Sequence, residues 1–193
     1  EDELVEIFSP GSGGRDREIV GLYYGWDGCG GHTLEALGRR YGLSRERIRQ
    51  VCVRAIKRNR GAKVFAPVLD RALAFLAQRL PQEVGRLRAE FDAAGFSASG
   101  MPLETVHEAA RFLARDPQFA LVDVGRRQLA VRPDCVAVPK AIVQAARRAV
   151  VSYGATTIGN VAAEIRSQFP GEVDHALVEA ASERWGALDV LVN

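Results

Sequence analysis

A mostly α-helical protein is what this sequence predicts: a helix-turn-helix domain, then two small helical units with short β-hairpins. Three observations carry the prediction. The stretch "GHTLEALGRRYGLSRERIRQ" (31–50) holds two helix-period patterns separated by a Gly-Leu-Ser break. Two later stretches, 81–131 and 139–193, each read as helices followed by short strand-like runs, a weak internal repeat. The 193-residue length and a composition of 47% hydrophobic and 26% charged residues are those of a globular chain of one or two domains.

The elements follow in order. "EDELVEIFSPGSGGRD" predicts a short helix and a Pro/Gly/Ser break. Arg15 to Gly25 predicts a helix with Ile19, Leu22 and Tyr23 on one side, and "GWDGCGGH" a loop. Thr33 caps the next helix, whose inward residues are Leu34, Leu37 and Tyr41, and Gly42 suits its left-handed end. Ser44 caps the following helix, which runs to about Arg60. From Val64 the pattern changes. Pro81 to Val131 predicts helix, loop, helix and two strands, "FALVDV" and "QLAVR", joined by "GRR". Pro139 onward predicts three helices ("AIVQAARRAVVSYG", "TIGNVAAEIRSQF", "EVDHALVEAASERW") and one strand, "ALDVLV". Helices followed by a small hairpin are the pattern of a winged helix. The expected domains are therefore 1–63, the helix-turn-helix; 64–135, a first winged-helix-like unit; and 136–193, a second whose last strand is missing. The chain starts without Met and ends on an unpaired apolar run, as a fragment would.

Charge distribution separates the regions. Thr33 to Lys63 holds ten Lys/Arg against two acids, Glu35 and Glu46, although the net charge of the chain is only +2. A basic block in an otherwise acidic chain is the footprint of a nucleic-acid contact, and a solvated basic helix is the alternative. At about 100° per residue, Ile48, Val51 and Ala55 cluster on one side of the helix after Ser44. Arg45, Glu46, Arg49, Gln50, Val53 and Lys57 lie on the opposite arc. Arg pairs with guanine, Gln with adenine, and Glu accepts from cytosine, so this arc carries the side chains able to read base edges in a major groove.

Here a resemblance enters. "REIVGLYYGWDGCGGHTLEALGRRYGLSRERIRQVCVRAIKRNR" resembles region 4 of primary-type bacterial sigma factors, with "SRERIRQ" in register after "TLEALGRRYGL". The resemblance implies that Arg45, Glu46, Arg49 and Gln50 read bases. It places Thr33, Leu34 and Arg47 at the phosphate backbone, and it has the helix from Arg15 to Gly25 help dock on RNA polymerase. Arg54, Lys57, Arg58, Arg60 and Lys63 extend the basic strip toward the phosphates. The match covers under a quarter of the chain. Cys52 and Val53 stand where the family has an acidic and a small residue, and Asn59 where it has Leu. Some 130 residues follow the segment, and no counterpart of region 2 is readable.

Other chemistry finds no support. Cys29 and His32 form a lone C-x-x-H without a second pair at zinc-site spacing. "GSGGR" lacks the Lys-Ser/Thr of a phosphate loop. His107 and His175 are ordinary boundary histidines, Trp26 and Trp185 packing residues. No catalytic signature, metal or cofactor is expected. Cys29, Cys52 and Cys135 make no disulfide framework, which points to a reducing cytoplasm, and no run spans a bilayer. The last helix carries Glu172, Asp174, Glu179 and Glu183 against Arg184, so residues 64–193 are expected to bind a protein partner or a second copy, not DNA. The expected function is sequence-directed binding of double-stranded DNA in bacterial transcription. The alternatives are an interaction subunit docking on RNA polymerase or another complex, and the DNA-targeting module of an enzyme whose catalytic part lies elsewhere.

Overall fold

The computed structural model describes residues 2–8, 14–28, 30–59, 64–98, 100–125, 127–154, 156–169 and 175–182. Its elements are α1 (Asp2–Phe8), α2 (Gly14–Tyr24), α3 (Leu34–Tyr41), α4 (Arg45–Asn59), α5 (Pro67–Ala77), β1 (Gln82–Glu83), α6 (Val84–Ala93), α7 (Leu103–Phe112), β2 (Ala120–Val124), β3 (Arg127–Val131), α8 (Val138–Tyr153), α9 (Ile158–Gln168) and α10 (His175–Ser182). The expected fold class holds: the chain is mostly helical, with one small antiparallel sheet in the order β1-β3-β2. The β2–β3 hairpin pairs Ala120 with Val131 and Val124 with Arg127, and β1 adds to β3 through Gln82 and Glu83.

The chain forms two compact units. One holds Glu1–Leu76 and Arg88–Pro117, the other Ala77–Leu87 and Gln118–Asn193. This grouping differs from a division of the sequence at 63/64 and 135/136. The reason is that residues distant in sequence tie α5 and α7 to the helices before them. Phe8 stacks on Trp26 at 4.6 Å, Tyr24 stacks on Trp26 at 5.0 Å, and Phe112 of α7 meets Tyr24 edge-on at 5.2 Å. Aromatic pairs of this kind add about 0.5–1.5 kcal/mol each beyond the area they bury. Trp26 is wholly buried, a packing residue as expected.

Helix α5 went unread in the sequence. It begins with Pro67, and Ala66 before it has no side-chain acceptor. The cap comes from elsewhere: the amides of Val68 and Leu69 donate to Glu3 Oε1 and Oε2 at 2.9 and 2.8 Å. A carboxylate at a helix N-terminus satisfies orphan amides and meets the positive end of the dipole. Arg115 fastens the same region, donating to Asp70 Oδ1 at 3.0 Å and to the Val64 carbonyl at 2.7 Å.

In the other unit the inward faces of β2 and β3 (Val122, Val124, Leu129, Val131) join Ile142 and Ala146 of α8, Val161 and Ile165 of α9, and Leu177 and Val178 of α10 in one core. Both hairpin strands and the helices α8 and α9 lie where the sequence predicts them. The "ALDVLV" strand and Trp185 lie outside the described residues, as do Cys29, Arg60, Lys63 and the Arg126 of the hairpin turn. Among the described residues, no helix is long and apolar enough to cross a membrane.

Candidate nucleic-acid interface

The corner between α3 and α4 is built by local chemistry. Thr33 is extended (φ −70°, ψ 150°), and its hydroxyl accepts from the Ala36 amide at 3.1 Å, which starts α3. Gly42 ends the helix in the left-handed region (φ 64°), donating from its amide to the Gly38 carbonyl. The Leu43 amide also donates to Gly38 O, at 2.9 Å. Gly38 is needed for a different reason: a Cβ there would stand 2.8 Å from Leu43 O. Only glycine lets the returning chain come this close. Ser44 then accepts from the Arg47 amide at 3.2 Å and opens α4.

Leu37 of α3 and Ile48 and Val51 of α4 are buried, while Leu34 and Tyr41 are half-buried. Ala55, expected inward, is half-buried, and Cys52 is buried instead at 1% exposure. Helix α4 packs on α1 and α2 as well as on α3, so its apolar stripe is wider than a two-helix corner requires. This accounts for Cys52 standing where the sigma pattern has an acid. Burial pushes its thiol up to about 12, so it is neutral and chemically quiet.

The opposite arc is open. Arg45, Glu46, Arg47, Arg49, Gln50, Arg54, Lys57 and Arg58 are all exposed, and Val53 is half-buried at its margin. Glu46 organises the centre of this arc. Arg49 donates to it from Nε at 2.8 Å and Nη2 at 2.7 Å, and Gln50 Nε2 donates at 3.3 Å. The Arg49 hydrogen bonds hold the Glu46 carboxyl down at about 2 and raise Arg49 further above its ordinary value. Two of the five guanidinium N–H groups are used this way, leaving the others to a ligand. Arg54 Nε donates to the Gln50 carbonyl at 3.2 Å, which lays it along the helix. Arg40 of α3 pairs with Glu18 of α2 at 2.8 Å, bracing the corner. Sequence spacing located the arc but missed the Glu46–Arg49–Gln50 cluster. Its signal is legible in hindsight as an acid with partners three and four residues on.

Thr33 and the start of α3 present one more polar feature. The Thr33 hydroxyl accepts within the cap and keeps its own proton to donate outward. Leu34 is the first residue of α3, and a first-turn amide has no partner inside its helix. Among the described residues no group of three or more His, Cys, Asp or Glu side chains is placed to hold a metal.

Comparison with known proteins agrees with this geometry. Residues 14–60 match the family model of sigma-70, region 4. The RNA polymerase sigma factor sigA of Arabidopsis thaliana is 43% identical over 58 residues, which is 30% of this chain and 11% of that protein. The chain thus spans about a tenth of the length of the curated relative it matches. No solved structure matches. Region 4 is a non-catalytic DNA-binding domain of the transcription machinery. The α2–α4 segment of this chain is a sigma region 4-like helix-turn-helix.

Proposed function

We propose that this chain binds double-stranded DNA sequence-selectively in transcription by a bacterial-type RNA polymerase. Arg45, Glu46, Arg49 and Gln50 read base edges, and Thr33, Leu34, Arg47, Arg54, Lys57 and Arg58 hold phosphates. The observation that carries the reading is the exposed, basic, N-terminal arc of α4, set on a capped and glycine-closed corner. Such a helix enters the major groove with its N-terminal residues at the bases. Glu46 and Arg49 act as a unit, with the carboxylate steering the guanidinium toward one edge.

Residues 1–63 carry the DNA contact, and α2 offers a docking face for polymerase, as region 4 does. Residues 64–135 and 136–193 serve as winged-helix-like protein-binding parts. The small antiparallel sheet, a β2–β3 hairpin with β1 added at the β3 edge, supports a wing in the first of these. The free thiols Cys52 and Cys135 fit a reducing cytoplasm.

The test is DNA binding by the whole chain to a selected duplex and to random duplex. Arg49→Ala should weaken the selected site by about 1–3 kcal/mol and relax its sequence preference. If both duplexes weaken equally, Arg49 is a phosphate contact. With the Arg47, Arg54, Lys57 and Arg58 side chains on phosphates, the log–log salt slope should be near about −4. A slope near zero would mean the strip is only solvated.

A further inference from the structure

Apart from the α4 arc, the unit that contains it carries a cleft of about 500 Å³, lined by Ile56 of α4 and by Glu104, His107, Glu108, Arg111 and Phe112 of α7. That volume lies within the range of small-molecule sites, about 300–1,000 Å³. Positions 104, 107, 108 and 111 share one face of α7 by helical spacing. The floor is apolar and firm: Phe112 is half-buried and set edge-on against Phe8 and Tyr24.

The chemistry of the lining selects the ligand. Burial, with the Arg111 guanidinium adding to it, lowers His107 below its ordinary value, so the imidazole is neutral at pH 7. Among the described lining residues, two carboxylates then face a single guanidinium. A phosphate or carboxylate ligand meets net repulsion here, and no metal cage is assembled among the described residues. Glu108 is partly desolvated, with its carboxyl raised, and such a group gains most from an incoming cation. An organic ammonium ion satisfies all of this. Its N–H groups meet Glu104 and Glu108, and its apolar body lies on Ile56 and Phe112.

We propose that the α7 cleft is a binding site for a small organic amine, with Glu104 and Glu108 holding the ammonium group and Ile56 and Phe112 the apolar part. The site stands whether or not α4 reads DNA, and its test uses no DNA. Calorimetric titration of the whole chain at pH 7 with methylamine, butylamine and phenethylamine should give saturable one-to-one binding that tightens with the apolar body. The neutral isostere of butylamine, pentane, is too insoluble for this purpose, so butanol serves as the uncharged control and should not bind. E104Q/E108Q should weaken phenethylamine by about 10- to 100-fold, the loss of a charged hydrogen-bond partner. Glu104 and Glu108 lie at the surface, with the Glu108 carboxyl partly shielded in the cleft, so the variant should keep its fold, and E6Q on α1 should leave binding unchanged. The site is overturned by the absence of saturation with every amine, by equal affinity in E104Q/E108Q, or by methylamine binding as tightly as phenethylamine.

Discussion

Two helix corners in this protein use the same local grammar and present different surfaces. Helix α3 ends on Gly42 (φ 64°) and α4 opens on Ser44; α8 ends on Gly154 (φ 74°) and α9 opens on Thr157. Each hydroxyl accepts from the amide three residues on, at 3.2 Å in both. Each second helix buries an apolar stripe, Ile48, Val51 and Cys52 in α4 and Val161, Ala162 and Ile165 in α9. Outside, they part. Helix α4 carries six Lys/Arg and one acid, while α9 opens with exposed Ile158, Gly159 and Asn160 and holds only Glu164 and Arg166. Arg148 of α8 is itself spent on Glu164 at 2.7 Å. Helix-turn-helix geometry is therefore generic here. A DNA-reading function, as proposed for α4, rests on what the outward arc adds to it.

The sharpest way to break this comparison is to damage both corners equally. Ile48 and Ile165 are fully buried, and Ile48→Ala and Ile165→Ala should each cost about 2–5 kcal/mol in urea unfolding, from lost transfer energy and the cavity left behind. Under conditions where both variants remain folded, Ile48→Ala should weaken DNA binding and Ile165→Ala should not. If the two weaken it alike, the α8–α9 corner takes part in the DNA contact, and the surface argument fails.

A milder pair of changes tests the caps. Ser44→Ala and Thr157→Ala should each lose about 0.5–2 kcal/mol of stability, because each leaves a first-turn amide without its side-chain acceptor. Only Ser44→Ala should also lower DNA affinity, since Ser44 sets the first turn that carries Arg45, Glu46 and Arg47. Thermal unfolding and duplex titration on the same samples separate the two effects.

Short-range chemistry is what the sequence makes legible. Thr33, Gly42 and Ser44 announce the α3–α4 corner, and the period of Ile48 and Val51 orients α4. The alternation in "FALVDV" and "QLAVR" likewise locates the hairpin. What could not be read depends on partners far along the chain. Helix α5 has no cap of its own, and its amides are satisfied by Glu3, more than sixty residues earlier. Cys52 looks like a surface substitution until α1 is packed on α4. Strand β1 is two residues long, shorter than any alternating pattern can register, and exists because β3 offers it an edge. The exposed arc of α4 was legible as a set of residues. The pairing of Glu46 with Arg49 and Gln50 needed side-chain geometry.

The smallest expected effect sits in that pairing. The pair is exposed, so it adds little to stability. Its protonation is nonetheless informative. A carboxyl held below its ordinary value stabilises the folded state above that value and loses the contribution as pH falls through the folded one. For Glu46 the window runs from the ordinary 4.5 down to about 2. Across the neutral range the carboxylate stays ionised, so the Arg49 orientation, and any DNA preference that depends on it, should not vary with pH on its account. Helix α9 lacks an ion pair of this kind along its own length: Glu164 accepts from Arg148 of α8 at 2.7 Å and from Gln168 of its own helix at 3.5 Å. Carbon-13 titration of the glutamate carboxyls should therefore show Glu46 moving only near the acid limit. In Arg49→Ala it should return toward the ordinary midpoint. If Glu46 titrates at the ordinary value in the unmodified chain, the ion pair does not persist in solution, and Arg49 meets DNA as an unsteered cation like Lys57.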